Sequence, residues 1–367
     1  MRVLSIVESM SLSQGGPPEV VRNNAKIINK EKRILSIFSL SKINIFYLIK
    51  CFYLKKEKEK LINFLQKYDI IHIHHLWSLK VIIISYFAEK LAIKVILISH
   101  GYLDEWSMNV GYWKKKLFIK FFLQKTVKSS VFFFSTIDEY YEAKKNIDFA
   151  DFFVIPNGSD LATYKINEES ENTKRLKKIL FFGRIHKKKG IEILLNAIKE
   201  LPKNFFEKYY FEITGPGDYE YIKKIKYIIK KYFNSKYVKL LDPKTREEKI
   251  DYLKTADIFI LPSYEEGDSI ALKEAMALGM PVIISEQCRM PLVKSKGAGA
   301  IVETNVDSIK KSLIEIENWD LKKMGSNGRN LIETHFDNKI CSERLHKIYE
   351  DIYTGSHNSP DWKVFNE

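Results

Sequence analysis

Residues 262–281 read PSYEEGDSIALKEAMALGMP, with Glu266 and Glu274 on either side of a Gly-Asp-Ser loop that runs into a helical pattern. Gly279 and Pro281 close that pattern. The spacing predicts a helix starting near Ser269, and Leu272 stands where a Glu or Gln would complete a capping box. The first-turn amides are therefore available to an outside anion. Glu274 falls in the second turn, and a helical side chain leans back toward the N-terminus, over the mouth of the loop. Both acids could accept hydrogen bonds from sugar hydroxyls while backbone N–H groups hold phosphate. The plainer account is that acids gather near helix N-termini because the macrodipole favours them.

A second loop supplies cations. In FFGRIHKKKGIEILLNAI a strand ends at Gly183, Arg184 sits at its tip, and Lys189 precedes Gly190 and a helix. A planar guanidinium fork and a point-charge ammonium beside a helix start would clamp a diphosphate. Lys187 and Lys188 fit a solvated lysine loop. A third loop, SQGGPPEVVRN, places Gly15 and Gly16 before a proline-started helix. It could let the backbone approach an anion, or could simply be a tight turn. A fourth, ILISHGYLDEW, ends a strand on His100, which could bond a substrate oxygen or be structural. His72 and His74 share one face of a strand in IHIHH, a spacing that could suit a metal, but no Cys or carboxylate cluster backs them. Metal binding is therefore not expected, and no Asp-x-Asp pair occurs in the chain.

The elements that must position these loops follow from periodicity. Continuous apolar runs predict strands at RVLSIVES, RILSIFSL, DIIHIHH, KVILISH, VFFFST and FFVIP, and then at KKILFFGR, YYFEITG, YVKLL, DIFILPS and PVIIS. They alternate with helical patterns, which predicts doubly wound α/β domains with parallel sheets. Residues 157–178 are polar, lack apolar periodicity and read as a linker. The predicted domains are 1–160, 161–340, and a C-terminal helix and tail over 341–367 that could pack back on the first. Ligands of such sheets bind outside the carboxyl ends of the strands, which is where the four loops lie.

The 367 residues exceed what one core usually supports. Three scattered cysteines give neither a disulfide framework nor a metal spacing and fit a reducing compartment. The N-terminus reads as a strand rather than a leader, and no apolar run is long enough to span a bilayer. The net charge of +14 suits an anionic partner, or reflects a lysine-rich composition alone. WKKKLFIKFFLQKTVK, residues 113–128, holds six lysines and no acid, with Leu117, Phe118, Phe121 and Phe122 on one helical face. That face could lie on an anionic membrane, or pack into the core with the lysines solvated. LIKCFYLKKEKEKLINFLQKY has the same character with mixed charge.

Taken in order, GGPPEVVRN, DIIHIHHLW, SHGYLDEWS, VIPNGSDL, GRIHKKKG, ITGPGD and EEGDSIALKEAMALGMPVI resemble the landmarks of the large retaining glycosyltransferase family called family 4. Glu266 and Glu274 match its E-x7-E pattern. The resemblance covers roughly residues 1–340 and implies a GT-B fold, two Rossmann-like doubly wound parallel-sheet domains facing a central cleft. It implies that Arg184 and Lys189 bind the donor diphosphate, Glu274 the ribose hydroxyls and Glu266 the donor sugar. The amides of Ser269 and Ile270 would meet phosphate, Gly16 would approach the diphosphate, and His100 would help hold the donor sugar. The implied activity is transfer of a hexosyl group from a nucleotide-diphosphate sugar to a glycan or lipid-linked glycan, in surface polysaccharide biosynthesis, without metal or other cofactor. The implied location is cytoplasmic, or peripheral on the cytoplasmic face of the membrane. Gly267-Asp268-Ser269 departs from the small apolar sequence common after the first glutamate, and Asp268 adds an anion beside the expected phosphate site. Glu265 is out of register and expected to be solvated.

Two other readings use the same residues. A nucleotide-sugar epimerase of similar shape would release no glycosylated product. A basic nucleotide- or nucleic-acid-binding protein would use the charge and aromatics, but no RNP-like or zinc-finger pattern is present, and nucleic acid is not expected as a partner.

Overall fold

The computed structural model describes residues 1–10, 16–30, 34–149, 151–164 and 175–356. The chain divides into two compact units, Met1–Gly158 joined by the chain from Asn338 onward, and Ser159–Asp337.

The first unit holds six parallel strands: β1 (Arg2–Val7), β2 (Ile34–Ser39), β3 (Ile70–Ile73), β4 (Lys94–Ile98), β5 (Val131–Phe134) and β6 (Asp151–Val154). Their order is β2-β1-β3-β4-β5-β6. Both faces of each central strand are covered, which is why the sequence shows continuous apolar runs rather than alternation. Leu4, Ile6, Ile71, Leu97 and Phe132 pack under helices Ile45–Tyr53, Leu79–Lys90 and Ile137–Lys144. Val3, Ile70, Ile96 and Phe133 pack on the other face, against Ala25 and against Leu345, Ile348, Tyr349 and Ile352 of helix Asn338–Thr354. The last described helix therefore completes the first sheet's second layer.

The second unit holds β7 (Lys177–Phe182), β8 (Tyr209–Thr214), β9 (Val238–Leu241), β10 (Ile258–Leu261), β11 (Val282–Ser285) and β12 (Gly299–Val302), all parallel, in the order β12-β11-β10-β7-β8-β9. β12 was not among the expected strands. Its signal is hidden by Gly299, where a Cβ would fall 1.9 Å from Val282 O, so the close approach of β12 to β11 demands glycine.

The stretch expected to be a linker is partly built into this unit. Ser159 bridges to Asp337, Tyr164 is buried in the core, and β7 begins at Lys177. Residues 165–174 lie outside the described residues. In each sheet the strand order reverses once, between β1 and β3 in the first and between β7 and β10 in the second. Such a reversal opens a crevice at the carboxyl ends of the two strands.

Candidate functional site

In the second unit the reversal brings the loop after β7 against the loop after β10. Gly190 has φ +69°, and a Cβ there would meet Pro262 O at 2.0 Å, so only glycine permits this packing. The Tyr264 amide donates to Lys188 O at 2.8 Å and ties the two loops together. This places the Lys189 ammonium on Glu266 Oε1, the oxygen that also accepts from Ser263 Oγ at 2.6 Å. The Glu266 amide donates to Gln287 O at 3.1 Å, which fixes the loop from the β11 side. Arg184 is exposed and makes no ion pair among the described residues. His186 reports the local field. Its pKa is lowered first by partial burial and then by the positive charges of Arg184, Lys188, Lys189 and Lys187. The loop is thus a concentrated cationic surface that carries one fixed pair and one unpaired guanidinium.

Glu265 is not solvated as expected. It is buried and held by the Arg289 guanidinium, and Arg289 itself has φ +55°, an uncommon left-handed conformation for a side-chain-bearing residue. The strained residue and the buried pair together brace the back of the loop that presents Glu266.

The helix after this loop is Ile270–Ala277, with Ser269 at its N-cap and Ser269 Oγ accepting from the Leu272 amide at 3.4 Å. Its first turn carries no acid. Among the described residues the amides of Ser269 and Ile270 donate no hydrogen bond to another protein group. Asp268, expected as an extra anion, is neutralised within the loop. The Lys273 ammonium lies 2.6 Å from its carboxylate, is fully buried, and sits 4.4 Å from the centre of the Phe336 ring. Glu274 is 2% exposed. Its Oε1 accepts from Tyr164 Oη at 2.6 Å and from Lys249 Nζ at 2.5 Å, while Oε2 is buried with no partner. A buried acceptor without a donor costs free energy, about 1–3 kcal/mol for a neutral group and more for a charged one, so this oxygen retains unused acceptor capacity.

The remaining expected residues lie in the first unit. His100 follows β4 with φ +45°, and Gly101 with φ +76° turns the chain after it. Buried Glu139 braces this turn, accepting from Ser99 Oγ, from the Gly101 amide at 2.5 Å and from the Ser135 amide at 2.7 Å. His100 Nε2 and His74 Nδ1 share a hydrogen bond of 2.9 Å, and the His74 ring lies tilted against His72 with ring centres 4.2 Å apart. His72 Nδ1 is bonded to Tyr349 Oη at 2.7 Å. Burial pushes the pKa values of His72 and His100 down to about 3, and lowers that of His74 as well, so all three rings are neutral near pH 7. Among the described residues no group of three or more His, Cys, Asp or Glu side chains could hold a metal ion. Gly16 opens helix Gly16–Lys30, while Gly15 and the rest of its loop lie outside the described residues.

The sequence did not point to Tyr164, Lys249, Ser263, Lys273 or Glu139. Tyr164 was hidden in the stretch read as a linker. Lys249 had a readable signal, because Thr245 and Glu248 form a capping box that starts helix Arg246–Leu253 and sets the face on which Lys249 lies.

Residues 163–331 match the family model described as glycosyl transferases group 1, inside the second unit. An uncharacterized glycosyltransferase of Methanocaldococcus jannaschii is 31% identical over 193 residues, 51% of this chain and 48% of that protein. The UDP-Gal:alpha-D-GlcNAc-diphosphoundecaprenol alpha-1,3-galactosyltransferase of Escherichia coli is 28% identical over 346 residues, 90% of this chain and 81% of that one. The first three curated relatives are matched over about half their own length. Among solved structures, Anabaena HepE in complex with UDP aligns with a TM-score of 0.75 at 14% identity, over 96% of this chain and 100% of that one. The fold is GT-B. The GT-B unit that matches the family model is the one that carries Arg184, Lys189, Glu266 and Glu274.

Proposed function

We propose that this chain is a metal-independent, retaining glycosyltransferase that moves a hexosyl group from a nucleotide-diphosphate sugar to a glycan or lipid-linked glycan acceptor, in the building of a surface polysaccharide such as capsule, O-antigen or exopolysaccharide. The observation that carries the reading is the unpartnered, buried Oε2 of Glu274, one turn into a helix whose first amides are free. A carboxylate oxygen recognises a hydroxyl and repels phosphate, while helix amides recognise phosphate. Side by side they suit a ribose joined to a diphosphate. Arg184 and Lys189 then meet the diphosphate, and Glu266 meets the donor sugar. The E. coli relative, whose name gives a UDP-linked donor and a diphosphoundecaprenol-linked acceptor, supports the same substrate classes here.

In the proposed reaction the bond from the anomeric carbon to the β-phosphate oxygen breaks and a bond to the acceptor oxygen forms on the same face. The acceptor proton passes to the departing phosphate oxygen. Negative charge grows on the diphosphate, where Arg184, Lys189 and the Ser269 and Ile270 amides stabilise it. Lys189 leaves its pairing with Glu266 only in part, since the diphosphate offers it a second anion. No side chain is required as nucleophile.

A binding screen of UDP-, GDP- and ADP-sugars against the wild-type chain and Glu274→Gln tests this. Binding of one nucleotide class by the wild type, weakened at least ten-fold in the variant and unchanged by a chelator, is expected. Binding of the free sugar-less polyanion alone, or equal binding by the variant, overturns the assignment.

A further inference from the structure

The first unit carries an aromatic and basic surface that the donor site does not use. Segment 112–128 folds as helix Tyr112–Phe118, a π turn Ile119–Leu123 and helix Gln124–Lys128. Its core contacts are Ile119, Leu123 and Val127. Trp113, Leu117, Phe121 and Phe122, which include most of the face that could either lie on a surface or pack into the core, are exposed by 75, 54, 66 and 45%. The π turn sets the phase of this face. Its Gln124 N to Ile119 O bond takes one residue more than an α turn and re-phases the face.

A second segment exposes aromatics on the same side of the first sheet. Helix Ile45–Tyr53 exposes Phe46 and Phe52, and Tyr53 at its end is 83% exposed. The Phe52 ring packs 5.5 Å from Tyr86 of helix Leu79–Lys90, and that helix packs in turn against the π turn and helix Gln124–Lys128. All of these elements cover the same face of the first sheet.

Charge selects the occupant. Residues 113–128 hold six lysines and no acid, and Lys114, Lys116, Lys120, Lys125 and Lys128 are exposed. Lys128 faces Asp148 at 3.6 Å. Lys114 and Lys125 have no acidic partner among the described residues. A second copy of this face would set lysines against lysines, which opposes self-association. Composition alone does not produce such a surface, because among the described residues of the second unit the exposed large apolar side chains are tyrosines and one isoleucine, Ile314. No described helix is long and apolar enough to cross a membrane. Exposed Trp and Phe beside unpaired lysines match the boundary between lipid head groups and acyl chains.

We propose that this face of the first unit docks on an anionic lipid bilayer, with Trp113, Phe121 and Phe46 entering the head-group boundary and the lysines meeting lipid phosphates. Each lysine near such a surface strengthens binding about five-fold, and the attraction weakens with salt.

Flotation of the full chain with phosphatidylcholine vesicles, with and without phosphatidylglycerol, tests this at about 50 mM and about 500 mM salt. Flotation with the anionic vesicles at low salt is expected, with a loss of at least ten-fold in Trp113→Ser/Phe121→Ser and in Lys114→Glu/Lys120→Glu. Both variants should melt like the wild type, since the changed side chains are exposed. Vesicles should also blue-shift tryptophan emission, and Trp113→Phe should remove the larger part of that shift. Absence of flotation at low salt, equal binding to neutral vesicles, or wild-type binding by both double variants would overturn the proposal. Self-association without vesicles that both variants abolish would assign the face to a second copy instead.

Discussion

In the second unit the loops beside the strand-order reversal, and the helix that follows one of them, gather Arg184, Lys189, Glu266 and Glu274, whereas β3 and the turns after β3 and β4 in the first unit carry the neutral rings of His72, His74 and His100. Both sheets have six parallel strands, so the layout alone does not decide which chemistry a reversal hosts. The second unit keeps charge at its crevice by pairing each buried ion within a few ångströms, Asp268 with Lys273, Glu274 with Lys249 and Glu265 with Arg289. Among the described residues Glu274 Oε2 is left buried without a partner, and the Arg184 guanidinium without an ion pair. In the first unit burial holds the three imidazoles neutral, and they are linked to each other and to Tyr349. The same sheet layout thus hosts paired charges at one reversal and buried neutral polar rings at the other.

The contrast can be broken most strongly at Lys273. Lys273→Met leaves the Asp268 carboxylate buried without its cation, so the second unit should lose about 3–5 kcal/mol in denaturant unfolding, with part of the loss recovered by adding Asp268→Asn. A variant as stable as the wild type would show that the loop tolerates an unpaired anion. Next comes Lys189→Ala. Transfer, read as release of nucleoside diphosphate, should fall by about 10²–10³-fold if the lysine stabilises leaving-group charge. Unaltered turnover would remove the diphosphate from this loop.

Lys249→Met and Tyr164→Phe sharpen the comparison, because each removes one donor from Glu274 Oε1 without touching Oε2. Nucleotide-sugar binding should weaken about ten-fold in each, the value of one charge-assisted hydrogen bond of about 1.5 kcal/mol. A change in turnover with unaltered binding would argue against a positioning role. The pH dependence isolates the first unit. His72 and His100 have pKa values of about 3 in the fold and about 6.5 when unfolded, so between those values only the unfolded chain takes up the protons. Their contribution to stability is complete above pH 6.5 and is lost as pH falls toward 3. His72→Gln should make the melting temperature less sensitive to pH over that range, and an unchanged slope would show that the rings are not buried as neutral groups.

Much of this was legible in the chain. The continuous runs in KKILFFGR and DIFILPS gave β7 and β10 because a strand covered on both faces must be apolar throughout. The Ser269 start of the helix carrying Glu274 was readable from local cap and stop signals. Glu265 was misjudged because its partner Arg289 lies beyond β11, and adjacency in sequence says nothing about that ion pair. For 112–128 the pattern left a surface-lying and a core-packed face both open, because a 3.6-residue period does not say which side of a helix the fold covers and cannot anticipate a π turn.

The sequence by itself determined every strand but β12, and placed Arg184, Lys189 and Glu266 in loops at strand ends and Glu274 in the helix that follows, because each of those features is written in neighbouring residues. Only the tertiary structure decided that Tyr164 and Lys249 share one oxygen of Glu274 and leave the other bare, and that Phe121 points outward. Those outcomes depend on strand order and on a single re-phased turn, which bring together residues far apart along the chain and have no local signature.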